Sequence, residues 1–399
     1  MFTPLPIFNS NPYASPFAAA YTQPILQKNT LNLPPEANLN IVVQYSADQS
    51  GCFTWRLGWP SHLLNVHQEM TIYDLSRMIP DPRFYQNVKC VRIQRQATQN
   101  QLEFVKFLKK MSEDNNFHLI YEIDDIIFHE DIPDYNKFKG AFANSDIRKY
   151  SQEIMLLCDE ITCSCEYMKQ YYASKTGHKN VTVIPNYPPR WWIGNFYDEK
   201  QISQKFDKNR NQPRILYPGS GAHFDVDSRV KQKDDFEHVN DAVIKTRKDF
   251  KWCFLGGFPL AVRPYIQSGE MEFYPWKNIY EYSLFIHSLN INAFVAPLQD
   301  NTFNKAKSDI KYVEASAFGL PIAAQDLETY KNAPYRFKTG DEMISILKSF
   351  FKHKDDYMKI SRKARLFAET RFLENKENIG KYKELFLHRK GSPGRVLLK

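Results

Sequence analysis

The chain has 399 residues, 43% of them apolar and 15% aromatic, enough for two domains of about 180 residues, each with its own core. No apolar run approaches the roughly 20 residues that span a bilayer. The opening MFTPLPIFNSNPYASPF has no early charge and is broken by proline, so neither a membrane span nor a secretion signal is expected, and the expected location is the cytoplasm. Among the six cysteines, Cys158, Cys163 and Cys165 cluster at a spacing that fits no common zinc pattern. All six are expected to be reduced core thiols.

The net charge of +8 is unevenly placed. Residues 1–190 carry 18 Lys and Arg against 19 Asp and Glu, residues 191–399 carry 35 against 26, and residues 352–399 alone carry 14 against 6. The basic C-terminal region is either a solvated helical face or a patch for an anionic partner, DNA or a membrane surface.

Residues 1–38 lack periodicity and read as an extended arm. Leu39–Tyr45 predicts a first strand, followed by a loop with one glycine and then a helical pattern, the start of a Rossmann-like half. The glycine spacing is not that of a dinucleotide fingerprint, which argues against a nicotinamide dehydrogenase. Val88–Gln94 predicts a strand. Asn100–Ser112 predicts a helix that buries Leu102, Val105 and Leu108. Leu119–Phe128 is an apolar strand ending at Asp124–Asp125. Two adjacent carboxylates resist mutual burial, so at least one is expected to be solvated or liganded, unless the pair only caps a turn. Ser151–Leu157 and Glu166–Ser174 follow as helices, with Glu160–Cys165 and Val181–Ile184 as strands. PNYPPRWW at 185–192 breaks any element and marks a domain boundary.

Residues 195–212 are polar and read as a linker or loop. Arg214–Tyr217 opens a second sheet and delivers Gly219-Ser220-Gly221, small residues that let backbone N–H groups approach an anion. His223 follows, either bonded to that anion or simply solvated. Phe254–Gly257 and Met271–Tyr274 are predicted strands, and Tyr280–Asn290 a helix. Asn292–Pro297 is a buried strand, Leu298–Ala306 a polar loop, Lys307–Phe318 a helix stopped at Gly319, and Pro321–Ala324 the next strand, which together make a βαβ unit. On that helix Lys307, Lys311 and Glu314 share one face, while Ile310, Val313 and Ala317 line the buried stripe. Cations at a helix start oppose the dipole. A phosphate or diphosphate would reconcile them, with Glu314 accepting from sugar hydroxyls. A solvated face with an ordinary Lys311–Glu314 pair fits the spacing equally. Helices near 341–352, 355–372 and 374–387 close the chain.

The window Ala296–Pro321 resembles the donor-binding motif of GT-B glycosyltransferases of the family 4 type, of the kind encoded by large tailed phages. It matches at Ala296, Pro297, Leu298, Asp300, Asn301, Phe303, Asn304, Lys307, Ser308, Asp309, Lys311, Glu314, Ala317, Gly319 and Pro321. The resemblance implies an α/β, GT-B fold: two Rossmann-like domains facing each other across a cleft. The expected divisions are an arm (1–38), an acceptor domain (39–190), a nucleotide-sugar domain (191–372) and a C-terminal helix with basic tail (373–399) that crosses back to the first domain.

Lys307, Ser308 and Lys311 would hold the diphosphate and Glu314 the ribose, with Gly219, Ser220, Gly221 and His223 opposite them. Pro275-Trp276 resembles the family's dipeptide near the base pocket. The family's usual glutamate eight positions before Glu314 is Ala306 here, so sugar contacts would fall to Asn301, Phe303 and Asn304. Asp124 and Asp125 resemble the carboxylates that such enzymes place at the cleft, on the acceptor side. Arg56 would meet an anion there or serve as a structural arginine on the first helix.

The implied activity is retaining transfer from a nucleotide-diphosphate sugar, a UDP-sugar, to an acceptor hydroxyl, with no required metal or other cofactor. The acceptor expected is 5-hydroxymethylcytosine in phage DNA, in the host cytoplasm. The alternatives are a cell-envelope or lipid-linked glycan, or a non-catalytic nucleotide- or DNA-binding protein on the same scaffold.

Overall fold

The computed structural model describes residues 40–48, 51–67, 70–225 and 234–387. The expected arm at 1–38 and the tail at 388–399 lie outside them. Twelve strands form two six-stranded sheets in which every neighbouring pair is parallel. The first holds β1 (Ile41–Tyr45), β2 (Thr71–Leu75), β3 (Val88–Gln94), β4 (His118–Glu122), β5 (Glu160–Cys163) and β6 (Val181–Val183), in the order β2-β1-β3-β4-β5-β6. The second holds β7 (Arg214–Pro218), β8 (Lys251–Leu255), β9 (Glu272–Tyr274), β10 (Ala293–Ala296), β11 (Ile322–Gln325) and β12 (Arg336–Phe337), in the order β12-β11-β10-β7-β8-β9. Central strands such as IVVQY and AFVA are buried at every residue, because helices cover both faces of a parallel sheet.

Each sheet begins at an interior strand. The chain leaves β1 to one side for β2 and returns to the other for β3. It likewise leaves β7 for β8 and β9, then returns for β10. Ligands of open parallel sheets bind outside the carboxyl ends of the strands flanking such a reversal. The fold therefore nominates two loop sets: those after β1 and β3, and those after β7 and β10.

The sequence reading needs correction in three places. Residues 195–212 contain a helix, Glu199–Lys208, which buries Ile202 and Phe206. The edge strand β2 has only two of five residues buried and carries a weak pattern. The boundary segment is packed: Arg190–Ile193 is a helical turn, and Trp192 stacks on Tyr282 at 5.8 Å while meeting Trp55 and Trp59 of the first half.

The chain crosses between the halves twice, at residues 184–193 and again after Arg371. The crossings are bonded together: Leu373 N–H donates to the Pro188 carbonyl at 2.9 Å, and Arg190 N–H to the Glu374 carboxylate at 2.8 Å. The last helix, Lys376–Leu387, packs on β3 and on the Trp59–Val66 helix, burying Tyr382, Leu385 and Phe386. Lys381 Nζ donates to the Tyr187 hydroxyl at 2.7 Å. None of the six cysteines is bridged. Among the described residues no helix is long and apolar enough to cross a membrane.

Arg56 stands in the core of the first half. It is fully buried, as are Arg92 and Glu122. The Glu122 carboxylate accepts from Arg56 Nε at 2.6 Å, from Arg92 Nη2 and from the Thr162 hydroxyl. Arg56 Nη1 donates to the Ile184 carbonyl at 2.5 Å and to Asn186 Oδ1 at 3.0 Å. Burial opposes the charge on Glu122, but the two guanidiniums hold its pKa below the usual range. Arg56 thus ties the helix after β1 to β4 and to the first crossing: of its two expected roles it takes the structural one, and it does not meet an anion in the cleft. Removing the shared carboxylate strands two buried cations, so Glu122→Ala is expected to cost about 3–5 kcal/mol. Chemical denaturation measures this, and a loss under about 1 kcal/mol would contradict the assignment.

Candidate functional site

The second reversal point presents the turn after β7. Gly219 N–H donates to the Leu255 carbonyl at 2.9 Å, and a Cβ on Gly219 would meet the Tyr217 ring at 2.5 Å. Only glycine fits between that ring and the open side of the turn. Gly256, at φ +96°, lies alongside, and any side chain there would strike Trp276. Ser220 accepts from Ala222 N–H at 3.3 Å and so fixes the turn that aims His223 inward.

The loop after β10 faces this turn. Asn301 caps a short helix, Thr302–Lys305, by accepting from Asn304 N–H at 2.8 Å. The following helix starts only at Ile310 and ends through Gly319, at φ +69°. Lys307 and Ser308 therefore stand in the turn before the helix, not on its first turn as expected. Lys307 Nζ lies 4.3 Å from the Phe303 ring centroid. The Ser308 hydroxyl accepts from Asn186 Nδ2 at 2.9 Å. Asp309 does not cap the helix; it holds Arg371 at 2.6 and 2.9 Å. Lys311 Nζ lies over the Tyr217 ring at 5.3 Å. Glu314 is buried and accepts from the Tyr282 hydroxyl at 2.8 Å. Ala306 and Phe303 pack into the core of the first half. A glutamate at 306 would bury a carboxylate there, which accounts for alanine.

A buried carboxylate that the sequence reading passed over organises the site. Asp235 accepts from His223 Nδ1 at 2.7 Å, Asn304 Nδ2 at 2.6 Å, Gln299 N–H at 2.9 Å and the Tyr135 hydroxyl at 2.8 Å. Tyr135 comes from the first half. Its hydroxyl also accepts from Asn301 Nδ2 at 3.2 Å and Asn304 Nδ2 at 3.1 Å. The amide nitrogens of Asn301 and Asn304, expected to meet a sugar, are thus bonded across the two halves.

The electrostatics favour an anion. Neither Lys307 nor Lys311 has a carboxylate within ion-pair distance among the described residues. Burial, and then Lys307, bring Lys311 down to about 8. Burial, with Lys311 and Lys307 nearby, brings His223 down to about 4, so it is neutral at pH 7. Its Nδ1–H faces Asp235, which leaves Nε2 as a hydrogen-bond acceptor. Burial raises Glu314 to about 7.

The first reversal point presents acids. Arg95, in the left-handed region at φ 47°, ion-pairs with Asp48 and lies 3.8 Å from Asp124. A non-glycine residue held there is strained, and such strain gathers at functional sites. Asp125 is raised by burial, an effect that Lys307 partly offsets. The loop before the Ile310–Ala317 helix and the end of β4 therefore share one field across the cleft.

No family model and no curated protein sequence matches this chain. Solved structures do. An alpha-glucosyltransferase in complex with UDP and a 13-mer DNA containing an HMU base matches with a TM-score of 0.55 at 9% identity, over 88% of this chain and 99% of that one. TarM of S. aureus, in complex with Fondaparinux, alpha-GlcNAc-glycerol and UDP, gives 0.47 at 12% identity over 82% of this chain, which spans only 58% of TarM. T4 phage BGT with UDP-glucose gives 0.46 at 11% identity, over 87% of this chain and 99% of that one. At such identities the likeness establishes the fold, and the fold is GT-B.

A pH dependence follows from the two shifted groups. Below about 7 Glu314 is neutral and a weaker acceptor for hydroxyls, and above about 8 Lys311 loses its charge. Affinity for a diphosphate that bears a hydroxylated sugar is expected to peak between these values. It should fall by up to about tenfold per pH unit on the alkaline side, because binding an anion then requires uptake of a proton. Calorimetric titration checks this, with Lys311→Met expected to flatten the alkaline limb. Affinity that stays constant across this range would contradict the site.

Proposed function

We propose that this protein is a retaining glycosyltransferase that moves a sugar from a UDP-sugar to an acceptor hydroxyl. The observation that carries the reading is the pair Lys307 and Lys311, ammonium groups with no ion-pair partner among the described residues, at a reversal point of a parallel sheet where Lys311 lies over the Tyr217 ring beside the Gly219–Gly221 turn. Glu314 is buried three residues further along the helix that carries Lys311. A diphosphate would relieve the repulsion between the lysines and satisfy the turn, and Glu314 suits a ribose.

In the reaction the bond from the sugar's C1 to the diphosphate oxygen breaks, and its electron pair stays on the diphosphate. The acceptor oxygen bonds C1 from the same face, and its proton passes to the departing phosphate oxygen. No protein nucleophile takes part. Lys307 and Lys311 stabilise the charge that grows on the leaving group, and the neutral His223 offers Nε2 to a sugar hydroxyl. Asp124 and Asp125 lie on the acceptor side.

The acceptor read here is a hydroxymethylated base in DNA. The basic C-terminal region supports it, and the neighbour with the highest TM-score reported above is bound to DNA with an HMU base. One observation favours a second reading. Asp48 and Asp124 gather around Arg95, with Asp125 in the same field, and three acids against one arginine and Lys307 suit a neutral, hydroxyl-rich glycan better than a phosphate backbone.

The test offers a panel of UDP-sugars with hydroxymethylated DNA, unmodified DNA and glycan acceptors, scored by mass spectrometry. The expected result is a hexose or pentose mass gain on modified DNA only, reduced about 10²–10³-fold in Lys307→Ala. A gain on glycan alone would select the second reading, and neither transfer nor donor hydrolysis would overturn the enzyme.

A further inference from the structure

The segment 133–138 belongs to the first half but reaches the donor turn of the second. Tyr135 is 4% exposed and gives its hydroxyl proton to Asp235. Two residues on, Lys137 holds its ammonium 3.3 Å from where a Cβ on Gly221 would stand. Nearby acids are engaged elsewhere, Asp134 by Lys139 at 2.5 Å and Asp131 by Lys175 at 2.7 Å. Lys137 itself has no ion-pair partner among the described residues; its recorded neighbour is the Phe138 ring, 5.0 Å away. The glycine turn is therefore flanked from the second half by Lys311, over Tyr217, and from the first half by Lys137.

We propose that Lys137 is a third cation of the donor site, supplied by the acceptor half and held over the Gly219–Gly221 turn by the Tyr135–Asp235 bond. The proposal rests on the UDP-sugar reading. A nucleotide-diphosphate sugar carries two negative charges, and breaking its C1–O bond leaves a third on the terminal phosphate. Lys307 and Lys311 match the first two. A third ammonium placed where that charge grows acts on the transition state more than on the bound donor. It arrives only when the halves meet, so donor cleavage is coupled to closure over the acceptor. Tyr135 is a positioning residue: it touches neither phosphate nor sugar and acts through the placement of its loop.

The experiment uses the full chain and measures affinity for UDP and for uridine, together with donor turnover. The variants are Lys137→Ala, Lys137→Arg, Tyr135→Phe, the Ala/Phe double variant, and Lys307→Ala as reference. Lys137→Ala is expected to lower kcat and UDP affinity by about 10–100-fold and leave uridine affinity unchanged, with Lys137→Arg restoring most of both. Tyr135→Phe should act in the same direction, and the double variant should lose less than the two single losses combined, since part of Tyr135's effect is the placement of Lys137. Wild-type turnover and UDP affinity in Lys137→Ala, with both lost in Lys307→Ala, would overturn the third cation and leave the UDP-sugar reading standing. Equal losses for UDP and uridine would also overturn it. A wild-type protein that binds no UDP would overturn both.

Discussion

Asp235 is the point on which the arrangement turns. One fully buried carboxylate takes hydrogen bonds from an imidazole, a phenol, a side-chain amide and a backbone amide. Burial alone would neutralise it, yet the donors keep its pKa low. A buried charge satisfied this fully is a strong geometric constraint, because losing any donor exposes the rest of the desolvation cost. Its donors come from both halves, so the constraint fixes the His223 tautomer, the Asn301–Asn304 turn and the position of the first half's loop together.

Around that anchor the charges are deliberately out of balance. In most of the protein lysines and arginines sit against carboxylates, as Arg371 does with Asp309 and Arg214 with Glu272. At the donor edge the ammonium groups have aromatic rings beneath them instead. A ring face attracts a cation while leaving it free to bind a stronger partner. The acceptor edge is the complement, with carboxylates gathered around one arginine in a strained backbone conformation. The cleft is thus polarised from one sheet to the other, as the proposed transfer, which moves negative charge toward one wall, would require.

Much of this was legible in the sequence where signals are local. Fully buried strands such as Ala293–Ala296 announce themselves as apolar runs, and Gly319 marks its helix end because only glycine accepts that φ without strain. The lysine–glutamate window could be picked out because it breaks a local rule. Its geometry could not: Asn301 starts a separate short helix, which pushes the next start past Lys307. For Arg56 the cleft and the core were equally open, and only the placement of Glu122 on β4, where the Thr162 hydroxyl and Arg56 both donate to it, claims the arginine for the core. Tyr135, Lys137 and Asp235 carried no local signal, since their roles arise where loops far apart in the chain meet.

The two crossings between the halves, bonded to each other at Pro188 and Leu373, have a mechanical consequence. A single covalent link would act as a swivel and let one half twist freely on the other. Two links side by side act as a hinge with two pins. They confine relative motion to opening and closing about one axis and resist shear. The loop bearing Tyr135 and the turn bearing His223 would then part and rejoin along a single arc, in register at each return, with no search over orientations in between.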